Sequence, residues 1–249
     1  MNASAYLARI GYSGSVNPTA NTLRDLHHAH MLSVPFENLD IGLKRKIVCE
    51  EPAFLRKVVE LRRGGFCYEL NGAFAALLRE LGFKVTLLSA RVAREDGSYG
   101  PEFDHLALRV DLEEPWLADV GFGDSFVEPL RLQMEIEQPQ RGWTYRIVEE
   151  SDSLQMERCE DNGPWRRQYS FTLTPRRLAD FSPMCHFHQT SPESSFTRKS
   201  LCSMATQTGR TTIAERKLIV THDGKKEESQ LESEEQWRAA LREHFGVIL

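Results

Sequence analysis

The spacing of apolar residues changes near residue 82, and that change restricts the fold more than any other feature of the chain. Upstream, Leu70, Phe74, Leu77, Leu78 and Leu81 recur at steps of four, three, one and three, which is one face of an α-helix. Gly82 supplies a C-terminal stop, so the spacing predicts an amphipathic helix over 67–81. Two earlier stretches also read as helical. "NPTANTLRDLHHAHMLSVPF" is capped near Asn17 and Pro18 and broken at Pro35, and "EPAFLRKVVELRRGG" has Pro52 in its first turn and Gly64 and Gly65 at its end. Downstream the period falls to two. In "HLALRVDL", Leu106, Leu108, Val110 and Leu112 take one face, and His105, Ala107, Arg109 and Asp111 take the other. "KVTLLSARV", "WLADVGFG", "TYRIVEE", "WRRQYSFTLTP" and "RTTIAERKLIVTHD" are further strand candidates, and the turn residues between them suggest an antiparallel sheet or small barrel. The chain ends in a charged helix with Trp237, Leu241 and Phe245 four apart. Helices first and strands later define an α+β architecture.

Composition narrows the function classes. The 249 residues are 41% hydrophobic and 27% charged, with a formal net charge of -5 and no dominant basic patch, so nucleic acid is not expected as a partner. No apolar run is long enough to cross a bilayer, and "MNASAYLARIGYSG" lacks the charged leader and apolar core of a signal peptide, so no membrane partner and a cytoplasmic location are expected. The five cysteines, Cys49, Cys67, Cys159, Cys185 and Cys202, are odd in number and scattered, with no CxxC spacing. Reduced thiols fit this pattern better than a disulfide framework, and no metal site is expected.

Cys67 stands apart from the other four. It directly follows "RRGGF" and opens the predicted helix. A helix N-terminus carries partial positive charge and free N–H groups. A thiol placed there can have its pKa lowered from about 8.5 to roughly 3.5–7.5. The neighbouring glycines allow the backbone to approach a substrate closely. A lone cysteine is nonetheless more often buried and inert, and the functional reading needs a base. His105, on the polar face of its strand, and Asp119, in "LADVGFG", meet that need if they share a sheet face. With "DLEEP" as a five-residue hairpin loop, Val110 pairs with Trp116 and Ala107 with Asp119. His105 then lies diagonal to Asp119, about 7–8 Å away at the backbone, and an even-numbered loop would separate them. The spacing thus permits a Cys–His–Asp relay in which the carboxylate fixes the tautomer of the base.

Several motifs then resemble one known family, in that family's order and over most of the chain. "RGGFCYELN" (63–71) resembles the R-G-G-x-C-x-E-x-N stretch of the arylamine N-acetyltransferases. "VPFENLDI" (34–41) resembles their N-terminal motif, "HLALRV" and "DVGFG" the segments carrying their histidine and aspartate, and "SPESSFTRKSLCS" a run in their third domain. The resemblance implies a helical bundle (1–82), a central antiparallel β-barrel (83–184) and a C-terminal α/β lid (185–249), around a Cys–His–Asp core like that of papain-like peptidases and transglutaminases. It implies ping-pong transfer of acetyl from acetyl-coenzyme A to an arylamine, arylhydrazine or N-hydroxyarylamine, with Cys67 as nucleophile, His105 as base and Asp119 as its orienter. Phe36 and Phe122 match aromatic positions near the acceptor. Glu37 and Arg63 match charged positions expected to pair and hold the cysteine loop. Thr208 and Gly209, with Arg210, and the loop "GSYGPEFD" match segments near the donor's mouth. A cysteine hydrolase or a transglutaminase-like enzyme with the same triad is the alternative reading.

Overall fold

The structure, a computed structural model, describes residues 2–161 and 163–249. Its centre is the helix Cys67–Glu80, which starts and stops where the sequence places it, with Gly82 following in a left-handed conformation at φ +88°. The expectation of a single apolar face is corrected: residues 67–78 are buried all round. Helix Ala3–Arg9 and the segment Glu51–Leu55 cover one side, and strands Lys84–Val92 and His105–Asp111 cover another. Each fully buried Leu or Phe in such a core contributes roughly 1.5–3 kcal/mol. The polar residues that made the helix look amphipathic, Glu69 and Asn71, are buried with hydrogen-bond partners. Upstream, helix Ala20–Met31 is capped by the Thr19 side chain, two residues later than expected.

Eight antiparallel strands form the larger sheet, in the order Leu130–Arg131, Pro115–Ala118, His105–Asp111, Lys84–Val92, Arg166–Phe171, Ser153–Glu160, Trp143–Glu150 and Gln138–Gln140. Two glutamine side chains close this sheet into a nearly complete barrel. Gln138 Oε1 accepts from Arg131 N and its Nε2 donates to Arg131 O. Gln140 Oε1 accepts from Val127 N and Glu128 N, and its Nε2 donates to Glu128 O. The side-chain amides thereby take the place of a backbone ladder. Alternation along the strands separates two cores: Leu106, Leu108 and Val110 face the central helix, whereas Ala107 and Leu117 face Tyr169, Phe171 and Ile147 inside the barrel.

Register decides whether the relay can form. Val110 pairs with Trp116, as read from the sequence, and Asp111 with Pro115, so the loop is three residues long rather than five. The odd parity is kept. Arg109 sits opposite Leu117, and the alternation that groups His105 with Arg109 also groups Asp119 with Leu117. The ladder ends at Ala118, one residue before Asp119.

A second antiparallel sheet runs Phe36–Glu37, Leu201–Ala205, Gly209–Ala214, Lys217–His222 and Lys225–Gln230. The run read as one strand candidate over 210–223 is a hairpin that turns at Glu215, φ +55°. Strands Ser153–Glu160, Leu201–Ala205 and Lys225–Gln230 were not expected. The last of these is exposed throughout, so it carries no apolar alternation to read. Helix Glu234–Phe245 covers this sheet, burying Trp237, Leu241 and Phe245 against Cys202, Ile213 and Leu39. Residues 184 and 185, on either side of the expected domain division, both lie in helix Ser182–Thr190.

Candidate active site

Cys67 is the first residue of the central helix, and the loop leading to it is fixed from both sides. The Glu69 carboxylate caps the helix start, its Oε2 accepting from Phe66 N at 3.1 Å. Gly64 lies so close to Pro35 that a Cβ would sit 1.9 Å from its carbonyl oxygen. Glu37 N donates to Gly65 O, and Gly65 N donates to Pro35 O. Gly64 therefore serves close packing against the 34–37 segment, and Gly65, where a Cβ would lie 2.6 Å from the Glu69 side chain, makes room for the helix cap.

Beneath this loop lies a buried charge network. Arg63 Nη2 reaches Glu37 Oε1 at 2.7 Å and Asp40 Oδ1 at 3.1 Å. Lys57 Nζ reaches Asp40 Oδ2 at 2.8 Å and Glu69 Oε1 at 2.9 Å. The Arg63–Glu37 pair expected from the sequence is present, and Lys57 joins it to the helix cap. Burial is the larger influence on Glu69, and with Glu37 it outweighs Lys57, so the carboxyl is pushed up to about 7.

The structure brings Cys67, His105 and Asp119 together, all three buried. His105 Nε2 lies 2.7 Å from Asp119 Oδ2, which leaves Nδ1 for the sulfur. The Cys67 thiol and the imidazole each favour the charged form of the other. Burial alone would lower the His105 pKa. The Asp119 carboxylate overcomes it and, with Cys67, pushes the imidazole up to about 10. Burial likewise acts to raise Asp119, but His105, the Asn71 amide and Gly121 N–H hold it below the usual carboxylate range. The low thiol pKa expected at a helix start is corrected: burial pushes the Cys67 thiol up, and His105 and the Leu106 backbone offset this only in part. Among these neighbours the imidazole is the main influence favouring the thiolate.

Three residues of the site were missed or left without a role in the sequence reading. Asn71, one turn along the helix from Cys67, donates to Asp119 Oδ1 at 2.8 Å and to Leu106 O at 2.6 Å, and its Oδ1 accepts from Val120 N at 2.9 Å. His27 Nε2 accepts from Asp119 N at 3.2 Å, while Nδ1 donates to Val127 O at 2.9 Å. Tyr169 packs on His105 with ring centroids 5.2 Å apart, and its buried hydroxyl has no hydrogen-bond partner among the described residues. Only the i, i+4 step between Cys67 and Asn71 was visible in the sequence; the other two contacts join distant segments. Gly121 also matters here, since a Cβ on it would lie 2.8 Å from Cys67 Cα and 2.7 Å from Asn71 Nδ2.

Phe122 meets the His105 ring edge-on at 5.1 Å. Phe36 packs beside Gly123 and against Phe196, which comes from the third-domain motif. Thr208 and Gly209 line a cleft of about 590 Å³ between barrel and C-terminal sheet, with Asp124, Arg141, Trp143 and Arg210. Asp124 lies two residues beyond Phe122. The second segment expected near the donor, 97–104, does not line this cleft: Tyr68 Oη donates to Phe103 O, and Phe103 packs on Phe181.

Comparison with known proteins finds relatives over the full length of the chain. The N-acetyltransferase family model matches residues 19–249. Over 246 residues the chain is 34% identical to the arylamine N-acetyltransferase of Escherichia coli (strain K12), covering 97% of this chain and 87% of that protein. The solved structure of the arylamine N-acetyltransferase from Salmonella typhimurium superposes with a TM-score of 0.92 at 34% identity, covering 98% of this chain and 90% of that one. The Mycobacterium marinum arylamine N-acetyltransferase in complex with CoA superposes with a TM-score of 0.91 at 31% identity, covering 99% and 93%. With its fold, its motifs and its full-length relatives in agreement, this chain belongs to the arylamine N-acetyltransferase family.

Proposed function

We propose that Cys67, His105 and Asp119 carry a two-step acetyl transfer from acetyl-coenzyme A to an arylamine. Acetyl transfer is the activity of the family to which the chain belongs, and acetyl-coenzyme A is the co-substrate. The observation that carries the residue assignment is the buried Cys67–His105–Asp119 array at the start of the central helix. No relative reported above supports the hydrolase or transglutaminase alternative.

In the first step His105 takes the thiol proton, and the Cys67 sulfur attacks the thioester carbonyl. The backbone N–H groups of the first helical turn, beginning at Cys67, face the developing oxyanion. His105 returns the proton to the departing coenzyme A sulfur, leaving acetyl on Cys67. In the second step the amine attacks this acyl-enzyme, His105 takes the amine proton, and the Cys67 thiolate leaves. Asp119 holds the imidazole tautomer and balances its charge throughout. Phe36 and Phe122 form the aromatic walls for the acceptor, which extends to arylhydrazines and N-hydroxyarylamines. Thr208 and Gly209, with the cations Arg141 and Arg210, hold the donor's phosphates in the cleft. The working division of the chain remains 1–82, 83–184 and 185–249, and the working location is the cytoplasm.

The test uses acetyl-coenzyme A without acceptor. Intact mass rises by one acetyl group, which maps to Cys67 and to none of Cys49, Cys159, Cys185 or Cys202. Double-reciprocal plots with varied amine are parallel. Intersecting lines, or near wild-type turnover by Cys67→Ala, would mean direct transfer in a ternary complex.

A further inference from the structure

Residues 119–129 connect strands Pro115–Ala118 and Leu130–Arg131, and they carry Phe122 at the relay and Gly123 beside Phe36. Among the described residues, no backbone–backbone hydrogen bond involves positions 120–128. Side chains hold this loop instead. Asn71 Oδ1 accepts from Val120 N near its start, Arg158 Nη1 donates to Asp124 O at 3.0 Å, and Gln140 Oε1 accepts from Val127 N and Glu128 N near its end. Each of these fastens one part of the loop. His27, from helix Ala20–Met31, joins both ends: its Nε2 accepts from Asp119 N at 3.2 Å, and its Nδ1 donates to Val127 O at 2.9 Å. The ring is fully buried, stacked on Phe126 with centroids 5.6 Å apart and edge-on to Phe74 at 5.9 Å.

We propose that His27 is a positioning residue that braces the 119–127 loop across its base and thereby sets which arylamines fit against Phe122, given the reading above that Phe36 and Phe122 wall the acceptor site. A neutral imidazole carries one donor and one acceptor on a rigid ring, so the ring fixes the separation of the two loop ends. A protonated ring has no acceptor left for Asp119 N. Burial keeps the ring neutral, pushing its pKa down to about 4 against the opposing influence of the Val127 carbonyl and Asp119.

The two ends of the loop depend on His27 to different degrees. The Asp119 carboxylate has other anchors, since Asn71 and Gly121 N donate to Oδ1 and His105 faces Oδ2. Phe122 and Gly123 make no hydrogen bond among the described residues, between the fastened Gly121 N and Asp124 O. The place of the Phe122 ring therefore follows from where the loop ends are held. Without the brace, the carboxylate keeps its partners, whereas the aromatic wall loses its fixed distance from Phe36. A misplacement of about 1 Å remote from the chemistry can cost on the order of 10²-fold in rate. Because the wall touches the acceptor and not the thioester, the loss falls on the second step more than on the first.

The test compares aniline with a bulky para-substituted aniline as acceptors, using wild type, His27→Phe, His27→Gln and Phe122→Ala. His27→Phe keeps a buried ring and removes both polar atoms. His27→Gln supplies an acceptor and a donor again, as the Gln140 amide already does toward the Glu128 backbone. Expected for His27→Phe is a change of about tenfold in the ratio of kcat/KM between the two anilines, carried mainly by KM. This change exceeds any in the rate at which acetyl-coenzyme A alone acetylates Cys67, and His27→Gln reverses most of it. Phe122→Ala shifts the same ratio. An equal fall for both anilines and for Cys67 acetylation would overturn the proposal and leave His27 a support of Asp119 only. An unchanged ratio in His27→Phe beside a shifted one in Phe122→Ala would also overturn it, with the acceptor wall intact. An unchanged ratio in Phe122→Ala would sink the wall reading and the proposal together. If His27→Phe does not fold, His27→Asn, whose shorter amide reaches one loop end only, gives the same readout.

Discussion

The Asn71 amide nitrogen donates to Asp119 Oδ1 at 2.8 Å, which leaves Oδ2 free to face His105 Nε2 at 2.7 Å. One helix thus supplies both the thiol and the group that orients the carboxylate at the far end of the relay. Asn71→Ala removes this contact and leaves Val120 N without its acceptor. Losing a buried hydrogen-bond partner costs about 1–3 kcal/mol, so turnover is expected to fall roughly 10–100-fold. A fall in kcat with a shifted pH profile marks a positioning role. Lower stability with unchanged kcat would reduce Asn71 to a packing residue.

Asp119→Asn keeps the shape of the site and removes its charge. The amide can present its NH₂ to the imidazole and favour the wrong tautomer. In an unrelated triad this exchange lowers turnover by about 10⁴-fold, and a loss of that order is expected here with the circular dichroism spectrum intact. Near-normal turnover would make Asp119 a turn residue only.

Glu69 ties stability to pH. Its carboxyl ionises at about 7 in the folded chain, against 4.5 for an ordinary glutamate. The folded state therefore holds this proton more tightly than the unfolded state. Its contribution is fully present below pH 4.5 and is lost as pH rises through 7. Across that window the group lowers stability by about 1.4 kcal/mol per pH unit. Urea unfolding of wild type and Glu69→Gln at pH 5 and pH 7 is expected to show this slope in wild type only. Equal slopes would place the proton on another member of the network.

Arg63→Met leaves Glu37 buried with Leu39 N at 2.8 Å and Lys57 only at 3.7 Å. Removing one partner from a buried ion pair costs about 3–5 kcal/mol because the remaining charge stays desolvated. Denaturant unfolding is expected to show a loss of that size, and Glu37→Gln combined with Arg63→Met is expected to recover part of it. A loss below about 1 kcal/mol would mean that Lys57 alone satisfies both carboxylates.

The sequence by itself determined the local features. The start of the central helix at Cys67 and its stop at Gly82 follow from residue spacing and a glycine in the left-handed region. The shared face of His105 and Asp119 follows from an odd-length hairpin, and that parity survived although the loop proved shorter than expected. Both are products of covalent geometry, which fixes periods of 3.6 and 2 over a few residues. Tertiary structure decided the rest. It buried all sides of the helix and aimed Asn71 at Asp119, a role that its place one turn beyond Cys67 did not reveal. It brought His27 to Asp119 and Lys57 into the Arg63–Glu37 pair, and it closed the barrel through Gln138 and Gln140. It also raised the Cys67 thiol that its helix position alone would have lowered. These outcomes depend on which distant groups share one desolvated volume, where each buried charge or donor must find a partner. Spacing along the chain carries no record of that volume until the layers pack.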